Sequence, residues 1–366
     1  MTANNKVFSF LQERFPVEKL FIFELFEHKV VPVHKASWGY YTGGLTFLFF
    51  VIQVITGIFL LFYYEPTISD ANLSVENLAL NINGGFFIHN LHTWSSSLMI
   101  LCGMIHFLAT FAMKAFEKPR EFTWITGILL LGVTFTLGFT GYLLPWNQIA
   151  VNATKVGLQS VQSVGQLLPG VLAQIPKTIV TTFQGGDEVG QPTLSRFYVL
   201  HVVFLPLAVL LIVSVHLLLV QLHGISKGSD EIPKRFEKFF PEFILKDFIA
   251  WSIAFLMVFI LAVGLPFEAF LPYPLLEPFN ALGATPAGIK PEWYFYFVYY
   301  PLELLPFPVL VILSLIVMGI LIFTPWIFKQ TSRKVLTYIA LAMGLYLFTV
   351  TVFGQQIYSM IKPGGG

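Results

Sequence analysis

Four histidines carry the first chemical signal in this sequence. His92 and His106 stand 14 residues apart in one apolar run, and His201 and His216 stand 15 apart in another. An α-helix rises about 1.5 Å and turns about 100° per residue, so 14 residues make nearly four turns, ~21 Å long, with ~40° of drift. Each run, read as a helix, presents two imidazoles on roughly one face, one near each end. Imidazole on both faces of a haem iron gives a low-spin electron carrier with no open substrate position. If the two helices run in the same direction, His92 can face His201 and His106 can face His216. The competing reading is four separate histidines, each hydrogen-bonded inside a bundle. Two matched pairs on parallel helices favour the haem reading.

The elements that must hold these side chains follow from composition. Of 366 residues, 56% are hydrophobic and only 11% are charged. A soluble domain of average make-up has about a quarter of its residues charged. That excludes an ordinary soluble enzyme and a disordered chain. A net charge of +1 with no basic block also argues against nucleic-acid binding. The apolar runs are continuous rather than alternating, which disfavours a membrane β-barrel. Cys102 is the sole cysteine, so neither a disulfide framework nor a cysteine-ligated iron–sulfur site is available. The mixed, charged start of the chain does not read as a signal peptide.

A span needs about 20 mostly apolar residues, and seven segments qualify: roughly 39–63, 92–113, 122–144, 197–222, 248–265, 307–328 and 335–353. The sequence therefore predicts an all-α membrane protein of seven transmembrane helices, the first four forming a di-haem bundle. Residues 145–196 read as an excursion outside the bilayer with short surface helices, and 266–303 as a Pro- and aromatic-rich stretch. With seven spans, sixteen of the 21 Lys and Arg fall on the side of the N-terminus and five on the other. The positive-inside rule puts the N-terminus in the cytoplasm and the C-terminus on the positive side. Two glycine pairs repeat the histidine spacing, Gly43 with Gly57 and Gly127 with Gly141. A haem edge packed against a helix backbone needs such gaps, although small-residue helix packing uses them too.

The sequence closely resembles the cytochrome b subunits of quinol-oxidising cytochrome bc complexes. The stretches that carry the likeness are Gly43-Gly44 to Gly57, His92-Thr93-Trp94-Ser95 to His106, Pro119-Arg120-Glu121, Gly141-Tyr142-Leu143-Leu144-Pro145-Trp146, Leu194-Ser195-Arg196-Phe197-Tyr198 to His201, and His216 to His223-Gly224-Ile225-Ser226. Pro291-Glu292-Trp293-Tyr294 is the most specific of them. The likeness is greatest to cytochrome b6 fused to its subunit IV. It implies an N-terminal di-haem bundle over 1–222, a cytoplasmic connecting loop over 223–247 and a subunit-IV-like region over 248–366.

The resemblance implies two non-covalent b-type haems, the low-potential one on His92 and His201 and the high-potential one on His106 and His216, with Arg196 among the cations that neutralise their carboxylates. It places a quinol oxidation site at Pro291, Glu292, Trp293 and Tyr294, walled in part by Trp146. A carboxylate in an apolar aromatic pocket has a raised pKa and can accept a proton, which makes Glu292 the proton acceptor and Tyr294 a holder of the head group. A second quinone site is expected near Lys246, Asp247, Gln221 and His223. Two departures stand out. His89 and Ala109 occupy positions where the family usually has arginines, leaving Arg196, Lys114, Arg120 or His89 itself to compensate. Tyr41 stands where the split form carries a haem-tethering cysteine, so no covalently attached third haem is expected.

The implied function is quinol oxidation coupled to proton translocation by a Q-cycle, in the cytoplasmic membrane of a bacterium. One electron would go to a Rieske-type iron–sulfur protein and onward to a c-type cytochrome. The other would cross the bilayer through the two haems. Both proteins must be partner subunits, around a homodimeric core. The alternatives are a di-haem membrane anchor of another quinone-linked enzyme, which need not carry Pro-Glu-Trp-Tyr, and a solute transporter, which predicts broken helices and related halves.

Overall fold

A computed structural model describes residues 12–14, 29–228, 235–266, 276–283, 290–305 and 307–362. Lys6, Lys19 and Lys234 of the charge count, Pro306 before the sixth span, and parts of the 223–247 and 266–303 stretches lie outside the described residues. Among the described residues, seven helices are long and apolar enough to cross a membrane. They are α1 (Tyr41–Leu61), α3 (Gly85–Ala112), α4 (Glu121–Leu143), the continuous pair α7–α8 (Gln191–Val199 and Leu205–His223), α9 (Ile244–Gly264), α11 (Phe307–Ile327) and α12 (Arg333–Ile361). Shorter helices are α2 (Ala71–Asn81), α5 (Gln148–Ser163), α6 (Gln174–Gln184) and α10 (Tyr296–Leu304).

The span count agrees with the sequence reading, but several ends differ. The second helix begins at Gly85 rather than 92, the fourth at Gln191 rather than 197, and the last runs to Ile361 rather than 353. The added turns hold His89, Asn90, Gln191, Arg196, Gln355 and Gln356. A helix projects beyond the hydrocarbon core with polar side chains, so apolarity alone trims it. The 145–196 excursion contains α5 and α6, as expected.

α1 packs along α3, α4 lies against α3 and α8, α9 covers α1 and α3, α11 covers α4, and α12 covers α3. The central apolar cluster joins Phe49, Phe50 and Ile52 of α1, Leu91 and Met99 of α3, Val209 of α8 and Val258 of α9. The outer faces of α9, α11 and α12 expose Ile253, Leu315 and Phe348, as a hydrocarbon-facing shell requires.

Polar contacts gather the basic segments at one end, as the charge count demands. Arg120 donates to the carbonyls of His223 (3.1 Å) and Gly224 (3.3 Å). Tyr40 donates to the Ser226 carbonyl at 2.6 Å. Lys114 donates to the Lys329 carbonyl at 2.8 Å, and Arg333 to Glu117 at 2.5 Å. Here too β1 (Val30–Pro32) pairs antiparallel with β2 (Phe236–Lys238), Val31 opposite Glu237. Arg14 and Glu121 pair at 2.5 Å with side chains only 4% and 11% exposed. Removing one member of a buried ion pair strands the other's charge, at a cost of about 3–5 kcal/mol. Glu121→Ala should therefore lower the thermal unfolding midpoint in detergent markedly, whereas Glu76→Ala, on the surface helix α2, should leave it within the noise.

Candidate functional site

His92 and His106 project from α3 and His201 and His216 from the α7–α8 helix. The two helices run in the same direction, since α4 lies between them in the chain. The 14- and 15-residue spacings are reconciled by a turn of π-helix over Leu200–Phe204, which contains His201. A π turn closes i→i+5 bonds and so takes up one residue more than an α turn. Fifteen residues then keep the angular register of fourteen.

The His92 and His201 ring centres lie 6.5 Å apart, with their planes inclined at 71°. Two metal–imidazole bonds of about 2 Å plus the two ring half-widths span roughly 6 Å, so this gap fits one iron held from both sides. His106 and His216 form the second pair, close enough to interact electrostatically. Each imidazole rests on one of the four glycines. A Cβ on Gly43 would stand 2.9 Å from His106, on Gly57 3.5 Å from His92, on Gly127 3.3 Å from His216 and on Gly141 2.6 Å from His201. The gaps therefore seat the imidazoles themselves.

Each of those glycines is preceded by a threonine, and each threonine bonds the same imidazole. Thr42 Oγ1 is 3.1 Å from His106 Nδ1, Thr56 Oγ1 2.8 Å from His92 Nδ1, Thr126 Oγ1 2.9 Å from His216 Nδ1 and Thr140 Oγ1 3.2 Å from His201 Nδ1. Every one of these hydroxyls also donates to a carbonyl of its own helix, those of Gly39, Ile52, Phe122 and Thr136 respectively. A hydroxyl has one proton. With that proton on the carbonyl, the oxygen must accept from Nδ1–H, which leaves Nε2 as the free lone pair. All four rings are thus set in the tautomer that ligates through Nε2.

A cavity of about 650 Å³ adjoins the His92–His201 pair. Its walls include Gly57, His89, Gly141 and Tyr142 on one side and Lys290, Pro291, Glu292, Trp293 and Tyr294 on the other. The histidine pair and the Pro-Glu-Trp-Tyr loop therefore face a single space. Glu292 precedes a 3₁₀ turn over Trp293–Phe295 that leads into α10. Burial pushes its carboxyl up to about 7. Burial also holds the Tyr294 phenol well above its ordinary range, with Glu292 and Tyr142 adding to the effect. The Tyr294 ring lies on Gly138, where a Cβ would come within 3.0 Å of it. Trp293 Nε1 donates to Ser97 Oγ at 3.4 Å.

Comparison with known proteins identifies the family. The family description Cytochrome b/b6/petB matches residues 26–224, and Cytochrome b(C-terminal)/b6/petD matches 279–364. The chain belongs to the cytochrome b/b6 family. Membership implies binding of b-type haem and an electron-transport role in a membrane. The chain is 39% identical over 373 residues to a cytochrome bc complex cytochrome b subunit of Chlorobaculum thiosulfatiphilum, covering 99% of this chain and 83% of that one. Cytochrome b6 of Porphyra purpurea is 38% identical over 222 residues, 61% of this chain and 98% of that protein. A solved structure of a hyperthermophilic respiratory Complex III superposes with a TM-score of 0.75 at 26% identity, covering 97% of this chain and 99% of that one.

At the other end of this cytochrome b, the four candidates for a second quinone site part company. Lys246 pairs with Glu237 on β2. The Asp247 carboxylate instead turns toward α1, 2.7 Å from where a Gly44 Cβ would be, beside the Trp251 indole. Gln221 accepts from Lys29 Nζ at 2.6 Å, and burial lowers that lysine to about 8. His223 ends α8, its carbonyl held by Arg120.

Two other candidates have protein partners of their own. Arg196 donates to the carbonyls of Thr181 and Thr182 and so closes the end of α6. Trp146, 4% exposed, packs edge-on to Phe279 at 6.1 Å, while its neighbours Pro145 and Asn147 face the cavity. Tyr41 stacks on Phe243 at 5.1 Å. The sequence reading missed the four threonines and Gly138. A Thr-Gly dipeptide recurring at 14 residues on two spans is the signal that would have found the former, and Gly138 one turn before Gly141 the latter.

The glycine distances make a graded prediction. Gly141→Ala must displace the His201 ring, and Gly43→Ala the His106 ring, whereas Gly57→Ala meets only an ordinary contact. Haem content per purified chain, read from the reduced absorption spectrum, should fall in the first two variants and hold in the third.

Proposed function

We propose that this chain is the cytochrome b subunit of a cytochrome bc-type complex, with His92 and His201 holding one b-type haem and His106 and His216 the other. The observation that carries the reading is the single cavity shared by the His92–His201 pair and Glu292. Such a haem pair supplies a one-electron path from one membrane face to the other. The four histidines would hold the two groups through their Nε2 lone pairs, and the apolar bundle keeps water away from them.

A quinol entering the cavity places its hydroxyl against Glu292. With a pKa near 7, that carboxyl is ionised above neutrality and accepts the proton. It then carries the proton toward the water-facing end of the loop. Tyr294, wedged on Gly138, offers a phenol donor to the head group, and Trp293, anchored through Ser97, fixes the loop. Oxidising a quinol to a quinone releases two electrons and two protons. One electron enters the path across the bundle. The other goes to a Rieske-type iron–sulfur protein and a c-type cytochrome, which must be separate subunits because Cys102 alone cannot ligate a cluster. Quinone reduction at the opposite end draws protons through Lys29, Gln221 and Asp247. The Chlorobaculum relative and the Complex III likeness support this assignment. The matches of the two family descriptions to 26–224 and 279–364 support a division into a di-haem bundle over 1–222, a connecting loop over 223–247 and a subunit-IV-like region over 248–366. The membrane is read as a bacterial cytoplasmic one, with the N-terminus inside.

Purified protein should show two b haems per chain by its reduced spectrum. His92→Ala should remove one of them and His106→Ala the other, and a folded wild-type chain free of haem would sink the assignment. In wild type the rate of quinol oxidation should rise with pH through about 7, as the Glu292 carboxyl ionises. In Glu292→Gln that rise should vanish and the rate should drop about 10²-fold or more. An unchanged pH profile would exclude Glu292 as the main proton acceptor.

A further inference from the structure

The four threonine contacts are not equivalent. His201 Nδ1 lies 3.1 Å from the Leu137 carbonyl as well as 3.2 Å from Thr140 Oγ1. For His216 the Thr123 carbonyl lies near enough to act on the ring as a second, weaker acceptor, besides Thr126 Oγ1 at 2.9 Å. Leu137 and Thr123 each precede their threonine by three residues on α4. The corresponding residues, Gly39 in the 3₁₀ turn before α1 and Gln53 on α1, accept from the threonine hydroxyls but not from an imidazole. Among the described residues, the His92 and His106 Nδ1 protons therefore depend on Thr56 and Thr42 alone. Each proposed haem has one ligand with a single acceptor, from α3, and one with a backbone reserve, from the α7–α8 helix.

We propose that Thr42 and Thr56 are positioning residues that set the haem potentials of this chain, one residue for each haem, while Thr126 and Thr140 do so far less. This rests on the histidine assignment above. An oxygen accepting from Nδ1–H makes the imidazole a stronger electron donor at Nε2. A stronger donor stabilises the oxidised iron, so losing the acceptor raises the midpoint potential. It also strands a buried N–H and frees the tautomer, which weakens retention of the group. Valine replaces threonine with nearly the same shape and no hydroxyl, and serine keeps the hydroxyl, so the two variants separate hydrogen bonding from packing.

The test is redox titration of both b haems in the purified complex, together with haem retention on dilution in detergent. Thr56→Val should raise the potential of one haem and Thr42→Val that of the other. Each should shift the oxidised-to-reduced ratio about threefold or more, on the order of 30 mV for a one-electron couple. Haem retention should fall about tenfold in each. Thr126→Val and Thr140→Val should shift less than half as much, and Thr56→Ser and Thr42→Ser should restore wild-type values. A Val variant recovered without haem beside a Ser variant that keeps it also supports the proposal. Equal shifts in all four Val variants, no shift in any, or failure of serine to rescue would overturn it. A wild-type protein without two haems would instead fail the histidine assignment itself, before any threonine is changed.

Discussion

A buried imidazole can give one nitrogen to a metal only if the proton on the other nitrogen has an acceptor. In a membrane bundle there is no bulk water to provide one, and an unsatisfied buried N–H costs about 1–3 kcal/mol. The helices that carry no histidine are therefore as constrained as those that carry the proposed ligands. α1 and α4 must bring a hydroxyl to each ring, hence Thr42, Thr56, Thr126 and Thr140. They must also bring their backbones close enough for that hydroxyl to reach, hence a glycine at the next position each time. The repeat on these helices copies the repeat on α3 and α8 because each is the complement of the other. The remaining helices close this four-helix unit from outside.

Much of that was legible in the sequence, for physical reasons. Intramembrane ionisable groups are rare, so the histidines stood out, and the lopsided distribution of Lys and Arg sorted the loops into the two ends that the structure displays. The glycine spacing was visible too, but its partner was not. A gap in a helix surface says that something fits there, and only the fold says that an imidazole fills it. Thr42 and its counterparts were overlooked because threonine in a membrane helix ordinarily bonds its own backbone, as these do, and the second bond is tertiary. Arg196 has a partner that is likewise tertiary: α6, a surface helix with carbonyls to satisfy at its end, accepts from its guanidinium. Trp146 adjoins two cavity-facing residues, but Trp146 itself takes φ +48°, and its ring is turned into the cluster beneath the excursion helices.

The basic end of the molecule solves a different problem. Its cations do not simply face water. Lys114, Arg120 and Arg333 donate to carbonyls at helix ends and loops of other segments, where the helix macrodipole is negative. Through Lys114 and Arg333 these charges tie α3 to the segment that joins α11 and α12.

Gly138 and Gly141 lie one turn apart on a single face of α4, one beneath Tyr294 and the other beneath His201. Three residues of helix are about 4.5 Å. The Pro-Glu-Trp-Tyr loop and the proposed iron ligand His201 are therefore measured off on one rigid ruler, independent of how the other helices settle. Electron transfer falls away steeply with distance while proton transfer needs contact. A short rod gripping both participants lets the chain keep the two requirements in step even as the surrounding helices and lipids fluctuate.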